Sequence, residues 1–364
     1  GITVWSVNCL NDLLAALNHP ELETEKVYQP RIRAEDLLRE GTGQDTGDFR
    51  EVAGQENAKR GAEIAAAGFH NLLMIGPPGV GKSMVAGRIP GILPPLTLKE
   101  SLEVTGIFSV AGLLPPGQAL ITRRPFYAPH HTVTQAALIG GGSGIPRPGM
   151  VSLAHRGVLF LDELPEFRKN VLDGMRQPME ERKVQIARSA GMVTYPSDFI
   201  LVAAMNPCPC GYYPDRNKCR CTQPQIEKYL GKISGPILDR IDLCVELHPV
   251  DILHLQKTKT EKSSEDMKRQ IRHARERQAE RFAGTDCRFN GDIRSAQVEE
   301  YCPLGEEGQK VMEQLYRTLQ LSARVYHRIL KTARTIADLE DREEITGEHL
   351  LEAACYRPSE TYWN

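Results

Sequence analysis

The sequence has 364 residues, a formal net charge of −2 and 41% hydrophobic residues. This length exceeds what one ordinary hydrophobic core supports and predicts about two or three domains. The near-neutral charge excludes nucleic-acid binding driven by a global positive field, so any such contact must come from local patches. No apolar run reaches the ~20 residues of a membrane span, and Gly1 to Trp5 lack the basic start and apolar stretch of a signal peptide. We therefore expect no membrane contact. The odd number of cysteines, nine, with four of them in one short loop, points to a reducing cytoplasm, since a nucleotide site is also predicted below.

Residues 1–47 are predicted to form an N-terminal extension and linker. Leu10 to Leu17 can form a short amphipathic helix, and Pro20 stops whatever precedes it. Residues 41–47, Gly-Thr-Gly-Gln-Asp-Thr-Gly, have the composition of a linker. A segment this short with few apolar residues is not expected to fold as a domain by itself.

A phosphate-binding loop is predicted directly after the first buried strand. An alanine-rich helix ends near Ala67, the apolar run Leu72–Ile75 follows as a strand, and residues 84–86 can open the next helix. The loop between them reads Gly76, Pro77, Pro78, Gly79, Val80, Gly81, Lys82 and Ser83. This is the G-x-x-x-x-G-K-[ST] pattern, in which glycines turn backbone N–H groups toward phosphates. Lys82 would reach the β- and γ-phosphates and Ser83 would offer its hydroxyl to Mg²⁺, tasks that a purely geometric turn would not require.

Polar residues follow two further apolar strands of the same predicted domain, residues 48–250. Val158–Leu161 ends in Asp162 and Glu163, and Phe199–Ala204 ends in Met205-Asn206. Continuous apolar strands with polar carboxyl ends predict a parallel sheet whose site lies along that edge. Asp162 fits a Mg²⁺ contact, Glu163 fits the base that polarises the attacking water, and Asn206 could orient that water or bind the γ-phosphate. A solvated acidic turn is the alternative for the carboxylate pair, but its place downstream of a phosphate loop favours hydrolysis.

Four of the nine cysteines crowd into one loop, residues 207–222. Cys208, Cys210, Cys219 and Cys221 form two C-x-C pairs separated by eight residues. Four thiolates at this spacing can close a tetrahedral Zn²⁺ site that ties down a loop with little apolar content. The alternatives are reduced free cysteines or adventitious disulfides. We expect a structural zinc ion.

The remainder of the chain, residues 251–364, is predicted to be a helical domain. Residues 257–282 are densely charged with mixed signs, which favours an exposed helix with one weak apolar stripe over a nucleic-acid-binding helix. Further helices are predicted near Glu307–Gln320, Ser322–Leu339 and Thr346–Cys355, with Thr346 as an N-cap.

Several segments together resemble the AAA+ ATPases, and more narrowly the magnesium-chelatase-like ComM/YifB family. The phosphate loop, Val158–Glu163, Ala204–Pro207 and Gly235–Asp242 carry the broader resemblance. The narrower one rests on residues 125–132, 140–142, 146–149, 164–167 and 176–180. It runs from about residue 48 to the C-terminus. It implies an AAA+ P-loop NTPase core of α/β class with a parallel sheet, a helix-2 insert and a pre-sensor-1 hairpin, followed by a helical lid domain; family members also carry a Lon-like N-terminal domain.

The resemblance also implies roles for residues outside the phosphate loop. Arg240 matches the arginine finger, which would reach the γ-phosphate of a neighbouring subunit; an ion pair with Asp239 or Asp242 is the alternative. Arg324 matches the second sensor, which the lid would bring to the nucleotide. The residues that would line the adenine of ATP are Val52, Gln55 and, as a further candidate, His70. A finger acting between subunits implies a ring, expected to be a hexamer.

Two insertions are expected to bind DNA in the pore of such a ring. Residues 97–131 are assigned to the inserted hairpin of the second helix, and residues 184–197 are predicted to form a β-hairpin with a turn at 189–191. The candidate DNA contacts are Arg123, Arg124, His130, His131 and Arg188. Packing between subunits is the alternative role of these segments. A metal site at the two histidines is disfavoured because adjacent residues on a strand point apart.

The function that the resemblance implies is an ATP-dependent DNA motor, a helicase or branch-migration factor acting in homologous recombination during natural transformation. Two other classes share the same ATPase core: a magnesium-chelatase motor acting on partner subunits, and an ATPase that remodels proteins. The cysteine loop and residues 125–132 favour the DNA motor over the chelatase. The arginines and histidines of the two insertions favour it over protein remodelling.

Overall fold

The computed structural model describes residues 4–5, 9–18, 27–28, 37–38, 46–142, 146–188, 191–250 and 262–357. The strands within these residues are β1 (Val4–Trp5), β2 (Val27–Tyr28), β3 (Leu72–Ile75), β4 (Phe126–Tyr127), β5 (Gly140–Gly141), β6 (Arg147–Pro148), β7 (Val158–Leu161), β8 (Lys183–Arg188), β9 (Gly191–Pro196), β10 (Ile200–Met205) and β11 (Leu243–Glu246). The helices are α1 (Leu10–Asn18), α2 (Glu56–Gly68), α3 (Lys82–Ile92), α4 (Leu98–Ala111), α5 (Gln135–Ile139), α6 (Met150–Leu153), α7 (Lys169–Gly174), α8 (Arg176–Glu181), α9 (Gln223–Leu230), α10 (Gly235–Leu238), α11 (Ser264–Arg281), α12 (Val298–Tyr301), α13 (Glu306–Thr318), α14 (Ala323–Leu339) and α15 (Gly347–Cys355). No helix within these residues combines the length and apolarity that crossing a bilayer requires.

The core of the molecule is a five-stranded parallel sheet with the strand order β11–β3–β10–β7–β4. The three central strands are buried along their whole length. This confirms the prediction of a parallel sheet from continuous apolar runs, because helices cover both faces of such a sheet. All five strands point the same way, so the segments that follow β3, β7 and β10 meet at one edge, which we call the carboxyl edge.

Alternate residues of each central strand feed two separate hydrophobic clusters, as the period of two in a strand requires. Leu72 and Met74 of β3 join the cluster that contains α2, α3, α11 and α14. Leu73 and Ile75 join the other, which contains α6, α7 and α9. The C-terminal helices therefore pack on one face of the sheet.

The C-terminal helices follow the predicted pattern closely. The weak apolar stripe of α11, Met267, Ile271 and Ala274, is buried, and charged residues on its other side, such as Arg269 and Arg272, are exposed. Arg275 and Arg281 turn inward instead, where they donate to the carbonyl oxygen of Ala66 and to the carboxylate of Asp338. α14 is buried from Arg328 to Leu339 except for Lys331, and its largest contacts with the sheet domain are to α2. Thr346 caps α15 as expected, since its hydroxyl accepts from the N–H of His349.

Two antiparallel hairpins project from the sheet domain. β8 and β9 pair from Lys183–Pro196 to Arg188–Gly191, which confirms the predicted hairpin. The assignment of the other hairpin to residues 97–131 is wrong, because these residues form α4, an irregular segment and the edge strand β4. The second hairpin is instead formed by β5 and β6, which pair between α5 and α6.

The close approach of β4 to β7 predicts that adding a side chain at Gly157 destabilises the fold. A Cβ there would lie 2.0 Å from the carbonyl oxygen of Pro125, which accepts a hydrogen bond from the N–H of Val158. Gly157→Ala should therefore lower the free energy of unfolding by about 1–3 kcal/mol. Gly106→Ala is the matched control: it lies in α4 with open space around a new Cβ, and we expect a small gain of about 0.5–1 kcal/mol. Denaturant midpoints check both, and an unchanged midpoint for Gly157→Ala would contradict the packing described here.

Candidate ATP site and cysteine centre

The phosphate loop begins where β3 ends and closes on the first turn of α3. Gly79 and Gly81 have φ of +80° and +93°, and no other atom lies within 4 Å of a Cβ built on either, so backbone conformation rather than crowding requires glycine there. The ammonium of Lys82 donates to the carbonyl oxygens of Gly76 at 2.7 Å and Pro77 at 2.9 Å. Burial lowers the pKa of Lys82, although Asp162 and Glu163 act against it. The lysine is thus folded over a loop shaped for an anion.

The strand-end acids lie beside this loop, as the parallel sheet requires. Ser83 Oγ donates to Asp162 Oδ2 at 2.8 Å, which puts two hard oxygen ligands side by side where a magnesium ion would be held. Asn206, after the neighbouring strand, accepts from Lys82 Nζ at 3.1 Å. Glu163 has a left-handed backbone with φ +52°, and its side chain is 56% exposed. The carboxyl edge of the sheet therefore gathers all the residues that the sequence assigned to phosphate, Mg²⁺ and water.

Glu163 has a partner that the sequence did not indicate. Its Oε2 lies 3.0 Å from Nδ1 of His131, from the segment after β4. His131 was expected to contact DNA, and the structure places it on the candidate catalytic base instead. The rings of His130 and His131 lie 4.0 Å apart, contrary to the expectation that adjacent histidines point away from each other. The reason is that they lie in a turn, not on a strand.

The residues assigned to adenine divide into two groups. Gln55 lies against the phosphate loop, where its amide donates to the carbonyl oxygens of Val80 at 3.2 Å and His248 at 2.7 Å. Val52 is buried in the core three residues earlier. His70 is buried at the other end of β3, with Nε2 2.8 Å from Thr335 Oγ1, so it lies away from the phosphate loop.

The two candidate arginines lie at the opposite edge of the sheet from the phosphate loop. Asn71, which precedes β3, accepts from the N–H of Asp242 at 3.0 Å and donates its side-chain amide to the carbonyl of Arg240 at 2.8 Å. The four residues of β3 separate Asn71 from the phosphate loop by roughly 13 Å. Arg240 therefore lies at the amino edge of the sheet.

Arg324 lies beside Arg240 and not beside the nucleotide loop of its own chain. It forms an ion pair with Asp239, while Arg240 pairs with Glu180. Burial lowers the pKa of Arg240, and the nearby cations of Arg324 and Arg176 lower it further. The lid holds Arg324 at the amino edge because α14 is tied there through Arg328, which donates to the carbonyl of Ile241.

The structure does not bring the expected DNA contacts together. Arg123 is exposed and Arg124 is turned inward, both before β4, whereas His130 and His131 follow that strand at its other end. The guanidinium of Arg124 donates to the carbonyl of Arg156 at 2.6 Å and contacts Glu100 at 3.3 Å, so it is engaged within the protein. The side chain of Arg188 lies outside the described residues.

The second hairpin carries an exposed cation that is not among the expected DNA contacts. Arg147 of β6 is exposed, and its neighbour Pro146 accepts a hydrogen bond from Tyr195 of β9 at 2.7 Å. The signal that points to this arginine is its place within residues 146–149, one of the segments that carry the family resemblance. The two hairpins thus form one structural unit with Arg147 and Lys183 on its surface.

The four cysteines of the loop after β10 converge on one point. Their sulfur atoms all lie within 4.8 Å of one another, with Cys208 and Cys219 buried. Although burial opposes it, hydrogen bonds from the Tyr212 backbone and neighbouring thiols lower the pKa of Cys210 to about 6. Four sulfur donors at these separations fit a tetrahedral zinc ion. Among the described residues, these four cysteines form the cluster of ligand atoms that could hold a metal ion.

Comparison with known proteins agrees with this architecture. Residues 48–255 match the family model for magnesium chelatase, subunit ChlI, and residues 261–357 match the model for its C-terminal part. The chain is 43% identical over 357 residues to competence protein ComM of Haemophilus influenzae, covering 96% of this chain and 66% of ComM. It belongs to the magnesium-chelatase-like ComM/YifB family of AAA+ ATPases.

Other relatives extend the same family. YifB of Salmonella typhimurium is 46% identical over 314 residues, which are 86% of this chain and 60% of YifB. The magnesium-chelatase 67 kDa subunit of Chlorobaculum parvum is 25% identical over 241 residues, 61% of this chain and 34% of that subunit. The chain thus spans 60% of YifB and 66% of ComM, and the AAA+ fold with its C-terminal helical part lies within the matched region.

Proposed function

We propose that this chain is the ATP-hydrolysing part of a ring-forming DNA motor, a helicase or branch-migration factor that acts in homologous recombination during natural transformation. The relationship to a protein named for competence supports the biological setting. ATP hydrolysis is supported by the carboxyl edge of the sheet and by membership of an ATPase family. The cytoplasm is the proposed compartment.

ATP would lie across the phosphate loop, with its phosphates against the backbone N–H groups of Gly76–Ser83. Lys82 would neutralise the β- and γ-phosphates, since its ammonium already lies over the loop. Ser83 and Asp162 would hold Mg²⁺, which supplies charge neutralisation of the phosphates. Glu163 would take a proton from the attacking water, and Asn206 would fix the γ-phosphate or that water. Val52 and Gln55 would border the adenine.

The observation that best supports a ring-forming motor is the distance between the ATP-site residues and the two arginines. Arg240 and Arg324 lie together at the amino edge, while the nucleotide loop lies at the carboxyl edge. No bending of a side chain spans that distance within one chain. A second copy, placed with its amino edge against the first copy's carboxyl edge, would supply both arginines. Such head-to-tail contacts close into rings, of which a hexamer is the form we propose.

DNA contact is assigned to the unit that the two hairpins form. Arg147 and Lys183 are exposed on it, and Met192 of β9 is 68% exposed. Cations that meet phosphates and a side chain that contacts base faces suit a strand in a pore. We keep Arg123, His130 and Arg188 as secondary candidates.

The proposed cofactors are Mg²⁺ at the ATP site and Zn²⁺ at Cys208, Cys210, Cys219 and Cys221. The convergence of the four sulfurs supports zinc. Zinc would cross-link the loop between β10 and α9 and has no part in the chemistry of phosphate transfer.

The proposal is tested by measuring ATP turnover of the chain alone, with single-stranded DNA and with a synthetic four-way junction. We expect DNA to raise turnover several-fold and the effect to weaken steeply with salt. Arg147→Ala combined with Lys183→Ala should raise the half-saturating DNA concentration several-fold, because two phosphate contacts are lost.

Arg317→Ala is the matched control, since this arginine is 82% exposed on α13, away from both hairpins. It should leave the response to DNA unchanged. Turnover that no DNA structure affects would contradict the DNA motor, and turnover stimulated by a protein partner in its place would favour a remodelling or chelatase motor.

A further inference from the structure

The cysteine loop lies directly against the ATP site. Cys208 is the second residue after Asn206 and is fully buried. Gly211 has φ +87°, and a Cβ built on it would lie 2.6 Å from Cδ of Pro78 and 3.8 Å from Cγ of Asn206. The inner surface of the loop therefore touches the phosphate loop and the residue that contacts Lys82.

The loop has little other than its thiols to hold its shape. No helix or strand occurs between the end of β10 at Met205 and the start of α9 at Gln223. The hydrogen bonds in it are mostly local, such as those from Gly211 N–H to Cys208 O at 3.0 Å and from Cys219 N–H to Asp215 O at 2.7 Å. The N–H of Tyr213 donates to Cys208 Sγ at 3.4 Å, so a backbone group of the loop is also hydrogen-bonded to the sulfur cluster. Long loops without secondary structure are uncommon unless something stabilises them.

We propose that occupancy of the cysteine centre by zinc controls ATP turnover. With the ion bound, the loop holds Gly211 against Pro78 and fixes the backbone that carries Asn206. Without the ion, Asn206 loses its fixed position while the phosphate loop and Lys82 still bind ATP, so hydrolysis slows more than binding weakens. This rests on the ATPase function proposed above and adds zinc as a regulator of it.

The metal itself provides the main test. The full chain is purified under reducing conditions without added metal, and its zinc content is measured by mass spectrometry. A mercurial that titrates the thiols, followed by excess thiol and chelator, removes the ion. We expect one zinc per chain, a loss of turnover of at least about tenfold on removal, and recovery with Zn²⁺ but not with Mg²⁺ alone. Affinity for a fluorescent non-hydrolysable ATP analogue should change by less than about twofold, since the phosphate loop remains.

A variant that keeps all four cysteines tests the contact between Gly211 and Pro78 without removing the metal. This variant still tests the proposal if the metal-free chain unfolds. Gly211→Ala places a methyl group against Pro78, and we expect about tenfold slower turnover with zinc retained. Adding Pro78→Ala to this variant removes the clashing ring and should recover part of the loss. Gly284→Ala is the matched control: its φ of +78° imposes a similar backbone strain, but open space surrounds its new Cβ, and turnover should not change.

Each outcome has a distinct meaning. If a folded, zinc-free chain hydrolysed ATP as fast as the zinc-loaded chain, the control by zinc would be overturned but the ATPase function would not. A purified chain that contains no zinc would have the same meaning. Normal turnover in Gly211→Ala would also overturn the control by zinc. A zinc-loaded chain without any ATPase activity would overturn the proposed function first, and the regulation with it.

Discussion

Replacing Glu163 by Gln should stop ATP turnover while ATP binding persists. The amide cannot accept the proton of the attacking water, so we expect the rate to fall by about 10²- to 10⁴-fold. Gln has the same shape, and the phosphate loop that would bind ATP is untouched. In the presence of DNA the variant should stay on the strand, because release would require hydrolysis. Phosphate release and binding of a fluorescent ATP analogue measure the two effects separately.

Glu166→Gln is the control for this change. Glu166 carries the same charge three residues later and lies on the surface, where it forms an ion pair with Lys232 at 3.0 Å. Its replacement should leave turnover within about twofold of the unmodified chain, since exposed ion pairs contribute little. Undiminished hydrolysis in Glu163→Gln would show that another group takes the proton, and the contact of Glu163 with His131 would then need a different explanation.

The centre of the sheet could be predicted from the sequence, whereas its edges could not. β3 and β7 have the predicted bounds, and β10 is shifted by one residue, because buried parallel strands are unbroken apolar runs with polar ends. β4 is a pair of residues, Phe126–Tyr127, and β11 is Leu243–Glu246. Edge strands form where a neighbouring strand with free backbone groups already exists, and a strand of two residues such as β4 has no sequence pattern of its own.

The sequence contains a pattern that argues against the hairpin assigned to residues 97–131. Thr97 and Glu100 have the spacing of a capping box, and both side chains cap the start of α4 in the structure. That pattern predicts a helix from residue 98 onward and argues against a hairpin there. The contacts of His131 with Glu163 and of Arg324 with Asp239 are different in kind, since they join residues distant in sequence through the packing of whole elements.

Arg240→Ala should reduce turnover by about 10³-fold, because an arginine that meets the γ-phosphate stabilises charge in the transition state. Within one chain this arginine is held by Glu180 and lies at the wrong edge of the sheet for its own nucleotide. The decisive experiment therefore mixes two inactive variants. Lys82→Ala lacks the phosphate-loop lysine but retains Arg240, whereas Arg240→Ala retains the whole phosphate loop.

In mixed rings, a phosphate loop from Arg240→Ala can meet an arginine from a Lys82→Ala neighbour. At equal amounts about a quarter of the sites would be complete, and we expect activity to return to roughly that fraction. Lys82→Ala mixed with Glu163→Gln is the control: both changes affect the same side of the site, so no complete site forms and the mixture should stay inactive. If the first mixture also stayed inactive although its subunits exchanged, Arg240 would not act on a neighbour's nucleotide. The arginines at the amino edge would then not complete the ATP site at the carboxyl edge of a neighbour. The structural reason for a ring would fail with them.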